Sequence, residues 1–214
     1  MLVPRPETEE LVNTVIASAS EAISKNKGLP RSDAFARNDI KILDVGTGSG
    51  CIAISLAKGI FAMDGKDSLC QIVATDISKK ALEVAKKNAK THYVKIKFTQ
   101  SDLLEKIKFV PDIIVANLPY GWLEWKNNTS TATVGLKFEP KEALFTKEKG
   151  LFEIHRLLKQ IVNLPSLPKY IYLEFDPRQK TQLHQLIKKY LPKADINFYK
   201  DLAKKWRFVE IKNT

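Results

Sequence analysis

The chain has 214 residues, 44% of them hydrophobic and 28% charged, which excludes collagen-like, low-complexity and disordered chains. We expect a single α/β domain spanning residues 1–214, with residues 1–38 preceding the first strand. The 35 Lys and Arg residues outnumber the 24 Asp and Glu residues, for a formal net charge of +11. This charge favours attraction to nucleic acid or to a partner bound to nucleic acid. A generally lysine-rich, solvated surface explains the charge equally well.

The cysteines and the apolar runs bear on the cellular compartment. Cys51 and Cys70 lack the spacing of a zinc site or of a disulfide framework. No apolar run approaches the roughly 18 residues that a membrane span needs, and the N-terminus is unlike a signal peptide. His92, His155 and His184 have no partners at metal-ligand or catalytic-triad spacing. We therefore expect a cytoplasmic protein without a metal site.

The predicted elements alternate along the chain. A helix over about residues 8–25 is followed by strands at residues 40–45, 71–76, 94–99, 112–117, 169–175, 196–199 and 207–211. Further helices are predicted over residues 51–58, 78–90, 150–162 and 177–190. This order predicts a seven-stranded, mostly parallel, doubly wound sheet that closes with an antiparallel hairpin. Ligands of such sheets bind beyond the carboxyl ends of the strands, so the residues there are the candidates for a site.

A glycine-rich segment follows the first strand and opens the first helix of the repeat. Its candidate ligand-binding residues are Asp44, Gly46, Thr47, Gly48, Ser49 and Gly50. Glycines let the backbone approach a ligand closely, and a helix N-terminus presents unpaired N–H groups. A dinucleotide site usually has a third glycine at G-x-G-x-x-G spacing, but position 51 is a cysteine. The spacing therefore favours S-adenosylmethionine over NAD, with Asp44 placed to meet the ligand's amino group.

Two further acidic residues lie at strand ends. Asp76 ends the second strand, where it is placed to accept hydrogen bonds from ribose hydroxyls. The alternative is that Asp76 only caps the helix beginning near Ser78. After the third strand, Asp102 is placed to pair with an adenine amino group while Leu103 packs against the ring. A simple helix cap is the alternative there too.

Asn117, Leu118, Pro119 and Tyr120 follow the fourth strand and are the most informative segment. An amide or aniline-like nitrogen is a poor methyl acceptor because its lone pair is delocalised. The Asn117 side-chain oxygen and the carbonyl of residue 118 are able to accept its two N–H groups and orient it without a titrating base. Pro119 would rigidify the turn, and the Tyr120 ring would stack on the planar group and face the sulfonium. The alternative is an ordinary proline turn. Glu139, in a later loop, is expected to close over the substrate.

Several of these segments together resemble the HemK/PrmC-type protein glutamine methyltransferases. The most specific is the Pro4-Arg5-Pro6-Glu7-Thr8-Glu9 segment, and the others are the glycine loop, Asp76, the Ser101-Asp102-Leu103 tripeptide, Asn117 to Tyr120, and Phe138-Glu139-Pro140. The resemblance implies a Rossmann-like class I methyltransferase fold. It also implies S-adenosylmethionine as cofactor and, as substrate, the glutamine of the GGQ loop of peptide-chain release factors.

The resemblance also implies roles for individual residues. The glycine loop, Asp76, Leu103 and Asn117 would contact the cofactor, and residues 117–120 would hold the glutamine. Arg5, Thr8 and Glu9 would close over the cofactor.

The chain departs from the family at position 118, where Leu118 replaces the usual first proline of Asn-Pro-Pro-Tyr. Leucine supplies the same backbone carbonyl, so only the rigidity of proline is lost. Asn-Leu-Pro-Tyr is also similar to the motif of adenine-N6 methyltransferases that act on ribosomal RNA. Adenine methylation of RNA or DNA therefore stays open, as does a non-catalytic module that binds S-adenosylmethionine.

The second departure concerns length and partners. Bacterial members carry an N-terminal helical domain, whereas this chain begins at the Pro-Arg-Pro-Glu-Thr-Glu segment. Either the start is truncated or this member works without that domain, as do family members that rely on a small activating subunit. The expected partners are thus a release factor as protein substrate, the ribosome or nucleic acid through the basic surface, and a small activating partner.

Overall fold

The computed structural model of the chain describes residues 6–26, 40–64, 70–121, 148–201 and 203–213. The helices are α1 (Pro6–Asn26), α2 (Cys51–Asp64), α3 (Lys79–Thr91), α4 (Phe152–Ile161) and α5 (Lys180–Tyr190). The strands are β1 (Ile40–Val45), β2 (Cys70–Asp76), β3 (Lys97–Gln100), β4 (Ile113–Ala116), β5 (Tyr170–Glu174), β6 (Asp195–Lys200) and β7 (Trp206–Lys212). Short 3-10 turns precede α4 and α5.

All seven strands of the described residues join one sheet in the order β3-β2-β1-β4-β5-β7-β6. The first five of these strands pair in parallel, and β7 runs antiparallel to both of its neighbours. The expected mostly parallel α/β sheet with a C-terminal antiparallel hairpin is confirmed. The strand order reverses between β1 and β4, so the crevice that binds ligands in such sheets opens at their carboxyl ends.

Buried apolar side chains cover both faces of the sheet, as expected where helices pack on either side. Along β1, Ile42 faces the layer formed by α1 and α2, while the next residue, Leu43, faces the layer formed by α4 and α5. Both side chains are fully buried. The period of two along the strand thus fixes which residues belong to which core.

The third strand is shorter than predicted. We expected it to begin at Val94, but pairing with β2 begins only at Lys97. The amide of Val94 donates instead to the carbonyl of Ala89 at 3.1 Å, and Tyr93 adopts a φ of 56°. The end of α3 therefore uses Val94 in its capping turn, which removes this residue from the ladder.

The described residues include no helix that combines the length and the apolar character needed to cross a membrane. They also contain no group of three or more His, Cys, Asp or Glu side chains arranged to hold a metal ion. Arg5 and Glu139, which the sequence analysis assigned to the site, lie outside the described residues.

Candidate active site

The glycine loop between β1 and α2 depends on a backbone that only glycine adopts freely. Gly46, Gly48 and Gly50 have φ angles of 72°, 56° and 83°, in the region that side chains disfavour. A Cβ atom on Gly46 would lie 2.8 Å from Cδ2 of Leu118, and one on Gly50 would lie 3.1 Å from the Cβ of Ala85. Gly46 therefore lets the loop approach the segment after β4, whereas Gly50 lets α2 approach α3.

Asp44, within β1, is a buried carboxylate with only one of its oxygens paired. Its Oδ2 accepts hydrogen bonds from the Thr47 hydroxyl at 2.6 Å and from the amide of Ala53 at 3.2 Å. The side chain is 1% exposed, and Oδ1 is buried without a hydrogen-bond partner. Burial raises the pKa of this carboxyl from 3.8 to about 7. An unpaired buried acceptor is costly, so the geometry suits a ligand that brings a donor or a positive charge to Oδ1.

Asp76, the last residue of β2, connects the glycine loop to the start of α3. Its Oδ2 accepts from the amide of Gly48 at 2.9 Å, and its Oδ1 accepts from the amide of Ser78 at 2.8 Å. Ser78 is itself the cap of α3, since its hydroxyl accepts from the amide of Ala81. Asp76 therefore shapes the loop as well as the helix start. A carboxylate offers about four acceptor positions, which leaves acceptor capacity for ribose hydroxyls.

Asp102, after β3, has a partner that sequence reasoning did not identify. Its Oδ2 accepts a hydrogen bond from Arg156 of α4 at 2.7 Å, and the same guanidinium binds Glu153 at 2.9 Å. These hydrogen bonds raise the pKa of Arg156 above its usual value. Leu103 has a φ of 48° and is buried in the α4 and α5 layer, being 7% exposed. The predicted adenine contact of Asp102 must therefore share the carboxylate with Arg156.

A second buried carboxylate lies beside the Asn117 to Tyr120 segment. Asn117 directly follows β4, and Glu174 ends the neighbouring strand β5, one position beyond the paired Ala116 and Leu173. The Nδ2 of Asn117 donates to Oε2 of Glu174 at 2.8 Å, and the Tyr120 hydroxyl donates to Oε1 at 3.1 Å. Glu174 is 2% exposed.

The sequence analysis placed Glu174 within the predicted strand at residues 169–175 but gave it no role in the site. The signal was present, because a glutamate ends a run of buried apolar residues at the same edge of the sheet as Asp44 and Asp76.

The far end of the same segment is fixed by Gln179. This side chain is 1% exposed, and its Nε2 donates to the carbonyls of Tyr120 and Lys149 at 2.9 and 2.8 Å. Its Oε1 accepts from the amide of Asp176. A Cβ atom on Gly150 would lie 2.0 Å from the Tyr120 carbonyl oxygen, so only glycine permits this approach. The segment is thus held by Glu174 and by Gln179.

Leu118 contributes its side chain to the core rather than to the crevice. It is 4% exposed and lies in the same cluster as Leu151 and Phe175. Its neighbours Asn117, Pro119 and Tyr120 are partly exposed. The buried side chain anchors the turn, and only the backbone of residue 118 is left to meet a substrate.

The start of α1 reaches the same edge of the sheet. The Thr8 hydroxyl lies 3.4 Å from Oε2 of Glu174 and is positioned to donate to it, and Thr8 is 7% exposed. Glu9 is exposed. Of the residues predicted to close over the cofactor, the structure therefore brings Thr8 to the site and leaves Glu9 at the surface.

The residues present fit S-adenosylmethionine. The orphaned Oδ1 of Asp44 suits the cofactor's ammonium group. The carboxylate of Asp76, beside the positive-φ backbone of Gly48, suits ribose hydroxyls. Such donors and acceptors at the switch point between β1 and β4 match a nucleoside that carries a cationic amino-acid tail.

Comparison with known proteins assigns the class. Residues 36–188 match the family model described as a methyltransferase domain. The fold and the matching family model therefore define a methyltransferase.

Similar curated proteins narrow the class to a family. The chain is 33% identical over 212 residues to the release factor glutamine methyltransferase of Lactococcus lactis, covering 99% of this chain and 69% of that protein. The proteins of the same name from Streptococcus pneumoniae and Flavobacterium psychrophilum are 33% and 37% identical, over 94% and 88% of this chain. The chain spans 63% and 60% of their lengths. The protein belongs to the release factor glutamine methyltransferase family, which confirms the resemblance seen in its motifs.

Solved structures support the fold alone, because their sequence identity is low. A ribosomal protein L11 methylase from Lactobacillus delbrueckii matches with a TM-score of 0.55 at 19% identity, covering 92% of this chain and 76% of that one. The N-terminal domain of human METTL16, in complex with SAH, matches with a TM-score of 0.61 at 14% identity, covering 99% of this chain and 72% of that one.

Proposed function

We propose that the protein transfers a methyl group from S-adenosylmethionine to the side-chain amide nitrogen of the GGQ glutamine in a peptide-chain release factor. Family membership supports this function. The single observation that carries it within the structure is the arrangement of Asn117, whose amide nitrogen is bound to Glu174, so that its oxygen is turned away from that carboxylate. We also propose that residues 1–214 form one methyltransferase domain.

Asn117 addresses the chemical difficulty of the reaction. A glutamine amide nitrogen is a weak nucleophile because its lone pair is shared with the carbonyl group. The Oδ1 of Asn117 and the backbone carbonyl of Leu118 accept the two N–H groups of the substrate amide, which raises electron density on nitrogen and aims its lone pair at the methyl group. Neither acceptor has to change its protonation state.

Bound S-adenosylmethionine supplies an electrophilic methyl group on a sulfonium that leaves as a neutral thioether. As the new N–C bond forms, the substrate nitrogen becomes more acidic and gives up one of its two protons to water. The acceptors on those N–H groups stabilise the growing positive charge on nitrogen, so they interact more strongly with the transition state than with the ground state.

Tyr120 completes the substrate side of the site. Its hydroxyl is bound to Glu174 and its backbone carbonyl to Gln179, so the residue is held at the ring and at the backbone. A ring held in this way stacks on the planar substrate amide and presents its electron-rich face to the sulfonium cation. Pro119 restricts the turn between the acceptors and the ring. We assign substrate binding to residues 117–120 and to Glu139.

The cofactor side is assigned to the residues around the glycine loop. Asp44 binds the ammonium group, Asp76 the ribose hydroxyls, and Asp102 with Leu103 the adenine. The loop residues Gly46, Thr47, Gly48, Ser49 and Gly50 approach the amino-acid tail, and Arg5, Thr8 and Glu9 cover the cofactor. Contact with the ribosome or nucleic acid is a further proposal, supported by the net charge of +11. A small activating partner is supported by the family resemblance alone.

The experiment compares three acceptors with one enzyme preparation and labelled S-adenosylmethionine. The acceptors are a release factor, its GGQ→GGA variant and ribosomal RNA. We expect label on the unmodified release factor only. Label on RNA would replace the proposal with adenine methylation, and cofactor binding without transfer to any of the three would replace it with a binding module.

A further inference from the structure

Glu174, the last residue of β5, is a buried carboxylate that meets donors from two other parts of the chain. It accepts hydrogen bonds from the side chains of Asn117, after β4, and of Tyr120, three residues further on. The hydroxyl of Thr8, at the start of α1, lies 3.4 Å from the same carboxylate. Its exposure of 2% means that these donors stand in place of water.

The chemistry of a carboxylate decides which way the Asn117 amide faces. An ionised carboxylate only accepts hydrogen bonds, whereas an asparagine side chain has a donating and an accepting end. In the 2.8 Å contact between the two side chains, the NH₂ end of Asn117 faces Glu174 and donates to it. Its oxygen then points to the opposite side, where the proposed substrate amide would lie.

We propose, on the basis of the function proposed above, that Glu174 is a positioning residue. It holds the Asn117 amide in the one orientation that presents its oxygen to the substrate, and it holds the Tyr120 ring through the hydroxyl. Glu174 touches neither the substrate nor the cofactor. It acts through these two side chains, and through Thr8 it connects them to the start of α1.

A second buried carboxylate provides a matched control. Glu210 of β7 accepts from the Tyr172 hydroxyl at 2.8 Å and from the Nδ2 of Asn197 at 3.2 Å. Glu210 is 9% exposed, and Tyr172 lies two residues before the end of β5. The Glu210 carboxylate thus accepts from the same kinds of side chain as the Glu174 carboxylate, a tyrosine hydroxyl and an asparagine amide. Its donors, however, lie outside the proposed site.

The test compares Glu174→Gln with Glu210→Gln, using release factor and labelled S-adenosylmethionine. Glutamine is isosteric with glutamate but carries an NH₂ group. This group would donate to the Asn117 oxygen and allow the Asn117 side-chain amide to flip by 180°. We expect kcat to fall at least about tenfold in Glu174→Gln, with the cofactor Kd within about threefold of wild type, as for loss of an interaction made mainly in the transition state. Glu210→Gln should keep the wild-type kcat.

A spectroscopic readout separates this inference from the proposed function. In the two-dimensional ¹H–¹⁵N spectrum without substrate, the side-chain NH₂ signals of Asn117 should shift in Glu174→Gln and stay in place in Glu210→Gln. The inference is overturned by an unchanged kcat in Glu174→Gln, by an equal loss in both variants, or by unshifted Asn117 signals. If the wild-type protein methylates no release factor, the proposed function fails, and the Asn117 signals still test the orienting contact.

Discussion

Gly46 lies against Leu118 so closely that a Cβ atom at position 46 would come within 2.8 Å of the leucine Cδ2. One residue belongs to the loop after β1 and the other to the segment after β4, on either side of the point where the strand order reverses. Because the leucine side chain is buried, it has little room to move. The proposed cofactor loop and the proposed substrate segment are therefore mechanically coupled through this contact.

Replacement of Gly46 by alanine should affect both halves of the site. The φ of 72° disfavours any side chain, and the new methyl group would push Leu118 and with it Asn117. We expect weaker cofactor binding together with a fall in kcat, measured by calorimetry and by methyl transfer. Gly59→Ala is the control for lost stability, because its methyl group would meet the side chain of Ile16, where α2 packs on α1, rather than Leu118. Equal kinetic effects of the two substitutions would contradict the coupling.

The pH dependence of cofactor binding should reflect Asp44. Burial raises the pKa of this carboxyl to about 7, so it is largely neutral in the free protein at pH 6. An ammonium group prefers the ionised form, and the affinity should therefore rise by about fivefold from pH 6 to pH 7, reach about tenfold at pH 8 and level off above that. Calorimetry in buffers with different ionisation enthalpies should detect proton release below pH 7. Asp44→Asn should bind weakly at every pH, and a flat wild-type profile would refute the assignment.

The same carboxyl should also make the stability of the free protein depend on pH. Stability should fall as the pH rises, whereas cofactor affinity should rise. Because the pKa is higher in the folded chain than its value of 3.8 in the unfolded one, the neutral group's contribution is complete below pH 3.8 and is lost as the pH rises through about 7. We expect the Tm of Asp44→Asn, relative to wild type, to be higher at pH 8 than at pH 5. A Tm difference that does not change with pH would count against a raised pKa.

Asp76→Ala should weaken cofactor binding by about 1–3 kcal/mol, the cost of hydrogen bonds lost to a charged acceptor. The substitution also removes the acceptor of the Gly48 amide, which donates to the Asp76 carboxylate in the wild-type protein. Asp76→Asn should lose less, because an asparagine oxygen still accepts one of these bonds. Calorimetric titration with S-adenosylmethionine measures the affinity of both variants, and unchanged affinity in Asp76→Ala would leave Asp76 with a structural role alone, at the glycine loop and the start of α3.

The strands and helices that position the site were predictable because they rest on local patterns. β1, β4 and β5 are short, largely apolar runs that end at a glycine loop, an asparagine and a glutamate. Parallel strands bring such ends to one edge, so the proximity of Asp44, Asp76 and Asn117 followed from topology. The start of β3 was not predictable in this way, because the amide of Val94 is hydrogen-bonded in the capping turn of α3.

The contacts that required the structure are those between distant side chains. Glu174 and Asn117 are 57 residues apart, and Arg156 and Asp102 are 54 residues apart. Hydrophobic periodicity places a residue on a strand or a helix face, but it does not say which polar side chain will meet which partner across the sheet. Gln179 lies at the start of a predicted helix, and nothing in the sequence indicated that its amide binds the Tyr120 carbonyl.

The central claim is that Asn117 presents a glutamine amide to the methyl group, and its most direct test is mass spectrometry of the product. Release factor is incubated with S-adenosylmethionine and either the wild-type protein or Asn117→Ala, and the GGQ peptide is sequenced by tandem fragmentation. The account predicts one methyl group on the GGQ glutamine with the wild-type protein. With the variant, it predicts a rate at least about a hundredfold lower and a cofactor affinity within a few fold of wild type. Undiminished methylation by Asn117→Ala, or a methyl group on any other residue, would contradict it.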